Sequence, residues 1–332
     1  MHQHSDDARH PRHPLHSLHP HHLRTVTGPL PASAVRGPVL AHEHLVLDLD
    51  RAGEGAAVLH ADQHGPAVTT ELAHLREEYG LGLVVELTCR GMGRCPGALA
   101  RISEESGVPV VAATGWYYEP FHPTELDGAS VEELTATLVR EIEDGFGDTG
   151  IRPGVVGEIG SHGDVPSEPE TRALLASAHA AVATGLSVAT HAQLGRGGLA
   201  QLELLAGAGL PPHRISVGHQ DLLDAPTVHR ALAASGAYVA FDTVGKENYQ
   251  SDTTRLRLLL ALVEAGHADR VLLSSDISRH AYLRSEGGQG YGHLFRSFLP
   301  RVRAAGVDED LIDLMTRRNP LRFLTGADTK ES

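Results

Sequence analysis

From residue 38 onward the chain alternates between short, almost wholly apolar runs and longer amphipathic stretches. The runs at 38–42, 82–88, 108–114, 153–159, 186–191, 214–219, 237–242 and 270–276 have strand length and are rich in Val, Ile and Leu. Most lack the every-second-residue polarity of a half-exposed sheet. Strands buried on both faces of a parallel sheet have this pattern. The intervening stretches carry helix punctuation. Ser130-Val131-Glu132-Glu133 and Ser167-Glu168-Pro169-Glu170 both fit the capping box, in which the serine and the third-following Glu satisfy each other's backbone donors. Gly185 stands where a left-handed C-cap is expected, and the 224–235 stretch opens at Asp224 and closes at Gly236 in the same style.

No long Pro- or Ser-rich linker divides residues 25–325. Repeated strand–helix units over such a length predict one α/β domain, a (β/α)8 TIM barrel spanning 25–328. An open doubly wound sheet is the alternative, but no Gly-rich dinucleotide loop follows the first strand. Residues 1–24, crowded with His and Pro, have almost nothing to bury and read as a disordered, His-rich tail. Such a tail could capture metal, although it has no preset geometry.

Composition narrows the function classes. The formal charge of −14 argues against a nucleic-acid-binding surface. No apolar stretch approaches the ~20 residues of a membrane span. Cys89 and Cys95, the only cysteines, match neither a zinc pattern nor a disulfide framework. A cytoplasmic enzyme acting on a small molecule is the expectation, and a homodimer is left open.

The chemistry sits where the apolar runs end. His42 and His44, Glu158, His191, His219 and Asp276 each follow or close one. In a parallel barrel the carboxyl ends of the strands converge on one mouth. Side chains two apart on a strand point the same way, so His42 and His44 face inward together while Glu43 points outward. With 23 His in the chain, such a pair alone would be weak evidence. His191 and His219 add the ligands of a second cation from neighbouring strands. Asp276 can ligate the first cation and accept the proton of the attacking water, or it can simply cap the next helix. Glu158 is the most diagnostic residue. A carboxylate inside an apolar run is costly unless paired or metal-bound, and its two oxygens can bridge two cations. Such a centre, holding two divalent ions, would ionise a shared water near neutral pH. That hydroxide could attack a carboxylic ester, lactone or N-acyl amide, or a phosphotriester. A barrel that binds metal without turnover is the reading from another class, and the retained Asp276 argues against it.

The chain resembles the phosphotriesterase family of the amidohydrolase superfamily. The match runs from Thr25-Val26-Thr27-Gly28-Pro29 to Asn319-Pro320, through HEH at 42–44, ATGWYYEP at 113–120, GEIG at 157–160, THA at 190–192, GHQD at 218–221, FDTVGK at 241–246 and SSDISR at 274–279. The resemblance implies a binuclear, usually zinc, centre. His42, His44 and Asp276 would hold its buried metal, His191 and His219 its exposed one, and Glu158 would bridge them. The phosphotriesterases proper and related lactonases bridge with a carboxylated lysine. Glu158 therefore makes the chain more similar to the glutamate-bridged branch, which includes phosphotriesterase homology proteins and N-acetyltaurine hydrolases. Cys89 stands where that branch would have Asn. Tyr117 resembles the tyrosine that reaches toward the metals and substrate oxygen in the lactonases. Arg90, Tyr117, Lys246, Tyr249 and Arg279 are the candidate substrate contacts, while His162, just past Glu158, either sits over the metals or lies in a loop. Several basic groups at one mouth would suit a substrate carrying a carboxylate or sulfonate.

Overall fold

The computed structural model describes residues 21–51, 53, 55 and 57–327. Eight strands form one parallel ladder in chain order: β1 (Val39–Glu43), β2 (Leu83–Glu86), β3 (Val110–Thr114), β4 (Val155–Ser161), β5 (Val188–Ala192), β6 (Ile215–Val217), β7 (Tyr238–Phe241) and β8 (Val271–Leu273). Each lies within an apolar run read from the sequence, or overshoots it by a residue or two. Parallel neighbours need a crossover, and helices supply it. They are α1 (Ala61–Tyr79), α2 (Pro96–Ser106), α3 (Val131–Asp144), α4 (Glu168–Thr184), α5 (Gly198–Gly207), α6 (Pro226–Ala234) and α7 (Asp252–Glu264), with further helical segments after β8. The result is a nearly closed (β/α)8 barrel. Among the described residues no helix is long and apolar enough to cross a membrane.

Local signals hold up in detail. Both capping boxes form, at Ser130 with Glu133 and at Ser167 with Glu170. Gly185 ends α4 at φ 73°, the left-handed cap that only glycine adopts without strain. The helix expected to open at Asp224 instead starts at Pro226, whose fixed φ suits the first helical turn. Asp224 pairs with Arg257.

Two apolar layers follow from strand alternation. Val39, Ala41, Leu83, Val85, Val111, Ala113, Val155, Ala189 and Tyr238 belong to the cluster filling the barrel. Leu40, Val84, Ala112, Val156, Val188, Val239 and Phe241 belong to the larger cluster between sheet and helices. Each fully buried Val, Leu or Phe contributes about 1.5–3 kcal/mol relative to exposure, so the two clusters make a packed core.

The N-terminal boundary differs from expectation. His22–Thr25 and Gly28–Pro31 form an antiparallel hairpin, and Leu23 is buried in the barrel cluster with Phe323 and Leu324. Residues 22–24, read as tail from the sequence, thus belong to a strand of this hairpin, and His21 is the first described residue. Residues 1–20 of the expected tail, and 328 at the other boundary, lie outside the described residues.

Candidate metal centre

Regular alternation alone would not build this site. On β1, Val39 and Ala41 face the barrel and Leu40 the helices, so strict alternation would turn His42 outward. A register shift between Leu40 and Glu43 inserts the extra residue that brings His42 inward. On β4 a second shift, between Val156 and Ile159, does the same for Glu158. Bulges of this kind re-aim side chains beside functional sites. His219 and Asp276 arrive by another route. Each adopts a left-handed backbone, at φ 56° and 47°, which non-glycine residues take only when the surroundings hold them there.

Glu158 lies at the centre, almost fully buried. Its Oε1 is 3.2 Å from His44 Nε2. Its Oε2 is 3.4 Å from His42 Nε2, 3.2 Å from His191 Nδ1 and 3.7 Å from His219 Nε2. Asp276 Oδ1 approaches His44 Nε2 at 3.3 Å and His42 Nε2 at 3.9 Å. His219 Nε2 and His191 Nδ1 meet at 2.8 Å. All six residues expected from the sequence thus come together. Two clusters with metal-ligand spacing, His42–His44–Glu158 and Glu158–His191–His219, share the one carboxylate.

Every imidazole has one nitrogen anchored to the protein and the other turned to the centre. Asp242 anchors two of them: Oδ2 faces His42 Nδ1 at 2.8 Å, and Oδ1 faces His219 Nδ1 at 2.9 Å while accepting the His219 backbone N–H at 2.9 Å. Thr88 Oγ1 holds His44 Nδ1 at 2.8 Å, and Gln193 Oε1 holds His191 Nε2 at 2.6 Å. Such outer partners fix ring tautomer and direction. Sequence reasoning missed all three anchors. A signal for Asp242 existed, since it ends the apolar run Tyr238–Phe241 as the ligands end theirs.

The electrostatics fit a pair of divalent cations. Burial pushes the Glu158, Asp242 and Asp276 carboxyls up, yet His42 (Glu158), His219 (Asp242) and Lys246 (Asp276) outweigh it and hold each well below the usual carboxylate range. Three buried anions therefore demand compensating charge, and Lys246 is the one permanent cation touching them among the described residues. The remainder falls on the imidazoles. Burial lowers the basicity of His44, but Asp276 and Glu158 push it up to about 9. His42 is likewise raised well above its ordinary value by Glu158 and Asp242 against its burial. Buried His42 Nε2 has no hydrogen-bond partner. Imidazole and carboxylate donors around buried negative charge suit zinc, manganese or cobalt.

A cavity of about 260 Å³ opens over this cluster. Tyr117, Tyr118, Phe121, Leu194 and Leu222 form much of its wall, and Lys246, Tyr249 and Arg279 also line it. Tyr117 Oη lies 3.2 Å from His191 Nδ1. The ammonium of Lys246 is committed to Asp276 Oδ2 and to Ser278 Oγ. Arg279, by contrast, forms no ion pair among the described residues and reaches only Tyr249 Oη at 3.4 Å. Arg90 departs from expectation. It does not line the cavity, because its guanidinium is held by Glu125 and Glu141 in a network between loops and helix α3. His162 is also elsewhere, half-exposed against Glu170. Cys89 is buried behind Glu158, its thiol 3.5 Å from the Glu158 carbonyl oxygen.

Comparison with known proteins gives the following. The sequence profile of the phosphotriesterase family matches residues 21–324. The chain is 37% identical to the phosphotriesterase homology protein of Escherichia coli over 287 residues, 86% of this chain and 97% of that one. The crystal structure of that protein, complexed with phosphate in its active site, superposes with a TM-score of 0.84, covering 87% of this chain and 99% of that one at 36% identity. Human N-acetyltaurine hydrolase is 32% identical, covering 80% of this chain and 79% of that one. A lactonase from Listeria monocytogenes superposes with a TM-score of 0.84 at 25% identity, covering 91% of this chain and 98% of that one.

Proposed function

This chain belongs to the phosphotriesterase family and is a metal-dependent hydrolase, and we propose that it cleaves a carboxylic ester, lactone or N-acyl amide of a small molecule at a binuclear centre. His42, His44 and Asp276 would hold one divalent cation and His191 and His219 the other, with Glu158 placed to serve both. The observation that carries this reading is the placement of Glu158, with one oxygen toward His44 and the other toward His42, His191 and His219. When bound, the two metals supply Lewis acidity and a water that ionises near neutral pH.

The chain's own residues do the rest. Asp276 is the catalytic carboxylate: Oδ1 faces the imidazoles and accepts the proton of the attacking water, while Oδ2 is held by Lys246. Lys246 therefore orients Asp276 and keeps it ionised. The Tyr117 hydroxyl, above His191, donates to the carbonyl or leaving-group oxygen. The aromatic wall excludes bulk water and so strengthens each polar contact. Arg279 and Tyr249 at the opening take an acidic tail, since Arg279 has its charge to offer. The human relative's name assigns that protein N-acetyltaurine, an N-acyl amide with a sulfonate, and the arrangement around Arg279 suits a compound of this kind.

A glutamate bridge reaches less far than a carboxylated lysine. A metal pair held by the shorter side chain would leave a different space for the reacting group. Acyl hydrolysis is accordingly favoured over phosphotriester cleavage. The test is kcat/KM of metal-loaded protein for paraoxon against a panel of lactones and N-acyl amino acids, N-acetyltaurine included. Paraoxon being the best substrate by about 10-fold or more, equivalent to ~1.4 kcal/mol of transition-state preference, would reverse the assignment.

A further inference from the structure

We propose that Glu43, between the two histidines of the first strand, is a positioning residue for Asp276. The inference rests on the metal-centre reading above and adds a residue to it. Glu43 does not line the cavity, and its carboxylate is completely buried. A carboxyl group in such a place needs donors around it, and it has three. Oε1 accepts Ser274 Oγ–H at 2.7 Å and the Ser275 backbone N–H at 2.8 Å, and Oε2 accepts the Ile277 backbone N–H at 2.8 Å. Two of these donors flank Asp276 in sequence. One side chain therefore clamps the turn on both sides of the residue held at φ 47°.

The location explains why a side chain is needed. β1 and β8 are the two ends of the ladder, so regular strand pairing does not join them. The seam is closed instead by His42 N–H to Ser274 Oγ at 3.0 Å, by Asp276 N–H to the His42 carbonyl at 3.2 Å and by the three Glu43 bonds. The seam is also where His42 and His44 from one end must meet Asp276 from the other. Glu43 thus sets the separation between ligands that approach from opposite sides of a gap. The neighbouring strand has a parallel arrangement. Buried Glu86 accepts the Leu45 and Thr88 backbone N–H groups, and Thr88 in turn holds His44.

The test is Glu43→Gln in the full-length, zinc-loaded protein. The amide keeps the shape, and its oxygen can serve Ser274 and Ser275. Its NH2 then opposes the Ile277 N–H, and the turn must shift. Expected are a kcat lower by about 10-fold or more with KM changed less than about threefold, and one zinc site weakened by about 10- to 100-fold in a chelator-buffered titration. Ser274→Ala, which removes one donor and leaves the carboxylate, should show a smaller loss of the same kind and keeps the test open should the Gln variant not fold. Glu141→Gln is the control for burial alone. That carboxylate pairs with Arg90, Arg94 and Thr114 away from the site, so it should lower Tm without altering zinc affinity. Crystal structures of the wild type and the Gln variant provide a readout independent of turnover, in which Asp276 Oδ1 should leave its 3.3 Å approach to His44 Nε2. An unmoved Asp276, or wild-type kcat and zinc affinity with only Tm reduced, overturns the proposal. An inactive wild type would instead count against the proposed function, and the position of Asp276 would still decide the role of Glu43.

Discussion

Replacing Asp242 by Asn should disable one half of the metal centre, and the geometry says which. Both carboxylate oxygens are in use: Oδ1 takes two bonds from His219, and Oδ2 takes one from His42 Nδ1. An amide has one accepting oxygen. Facing His219, it preserves two bonds and sets its NH2 against His42 Nδ1–H. His42 escapes the clash by moving its proton to Nε2, the nitrogen that points at Glu158 from 3.4 Å, and a protonated nitrogen cannot bind a cation. Binding a cation at Nε2 then requires the Nδ1–H tautomer without its carboxylate acceptor, and a bond to a charged group is worth about 1.5–3 kcal/mol. At about 1.4 kcal/mol per decade that is roughly 10- to 100-fold in affinity, the range typical for outer partners of metal-ligating histidines. The assay is stepwise zinc titration in chelator buffers, with kcat measured on the same samples. The site held by His42 should weaken by that factor, and the His191–His219 site should change by less than about threefold. Two unchanged affinities with unchanged kcat would refute the claim that Asp242 sets the His42 tautomer.

Three further outcomes follow from other parts of the structure. Arg279→Ala should raise KM about 10-fold or more for acidic acyl substrates, in line with a charged hydrogen bond, and leave neutral lactones unaffected; equal effects on both would remove Arg279 as an anion contact. A chain beginning at His21 should retain full specific activity, because the hairpin at His22–Pro31 is intact; a large loss at equal metal content would make residues 1–20 part of the site. His229, buried against Phe241, is pushed down to about 4 by its burial, so the folded protein binds fewer protons than the unfolded chain between about pH 6.5 and 4. Its contribution is complete above about pH 6.5 and is lost as pH falls toward about 4, by at most ~3 kcal/mol. Urea melts of His229→Gln should fall less steeply over that window than wild type, and parallel curves would contradict the assignment.

The barrel was legible because its strands are buried on both faces, so each appears as a bounded apolar run with little to confuse it. The six inward polar residues were legible for the same reason: a His, Glu or Asp closing such a run stands out. The bulge on β1 that brings His42 inward could not be seen, since an extra strand residue leaves no mark in a sequence of this kind. Asp242, Thr88 and Gln193 were missed as anchors because which polar group meets which imidazole nitrogen is decided by packing between strands. Arg90 was misplaced because a cation after a strand can turn to the cavity or to the helices. Glu141 on α3, distant in sequence, settled that choice. The hairpin at His22–Pro31 escaped notice since its Gly and Pro content reads as loop, and its stability comes from Leu23 beneath the barrel.

The central claim is that Glu158 bridges two cations. Anomalous diffraction at the zinc edge from crystals of the zinc-loaded protein tests it most directly. The account predicts two peaks about 3.5–4 Å apart, each within bonding distance of a different Glu158 oxygen, one beside His42 and His44 and the other beside His191 and His219. A single peak, or two peaks that do not share Glu158, would contradict it.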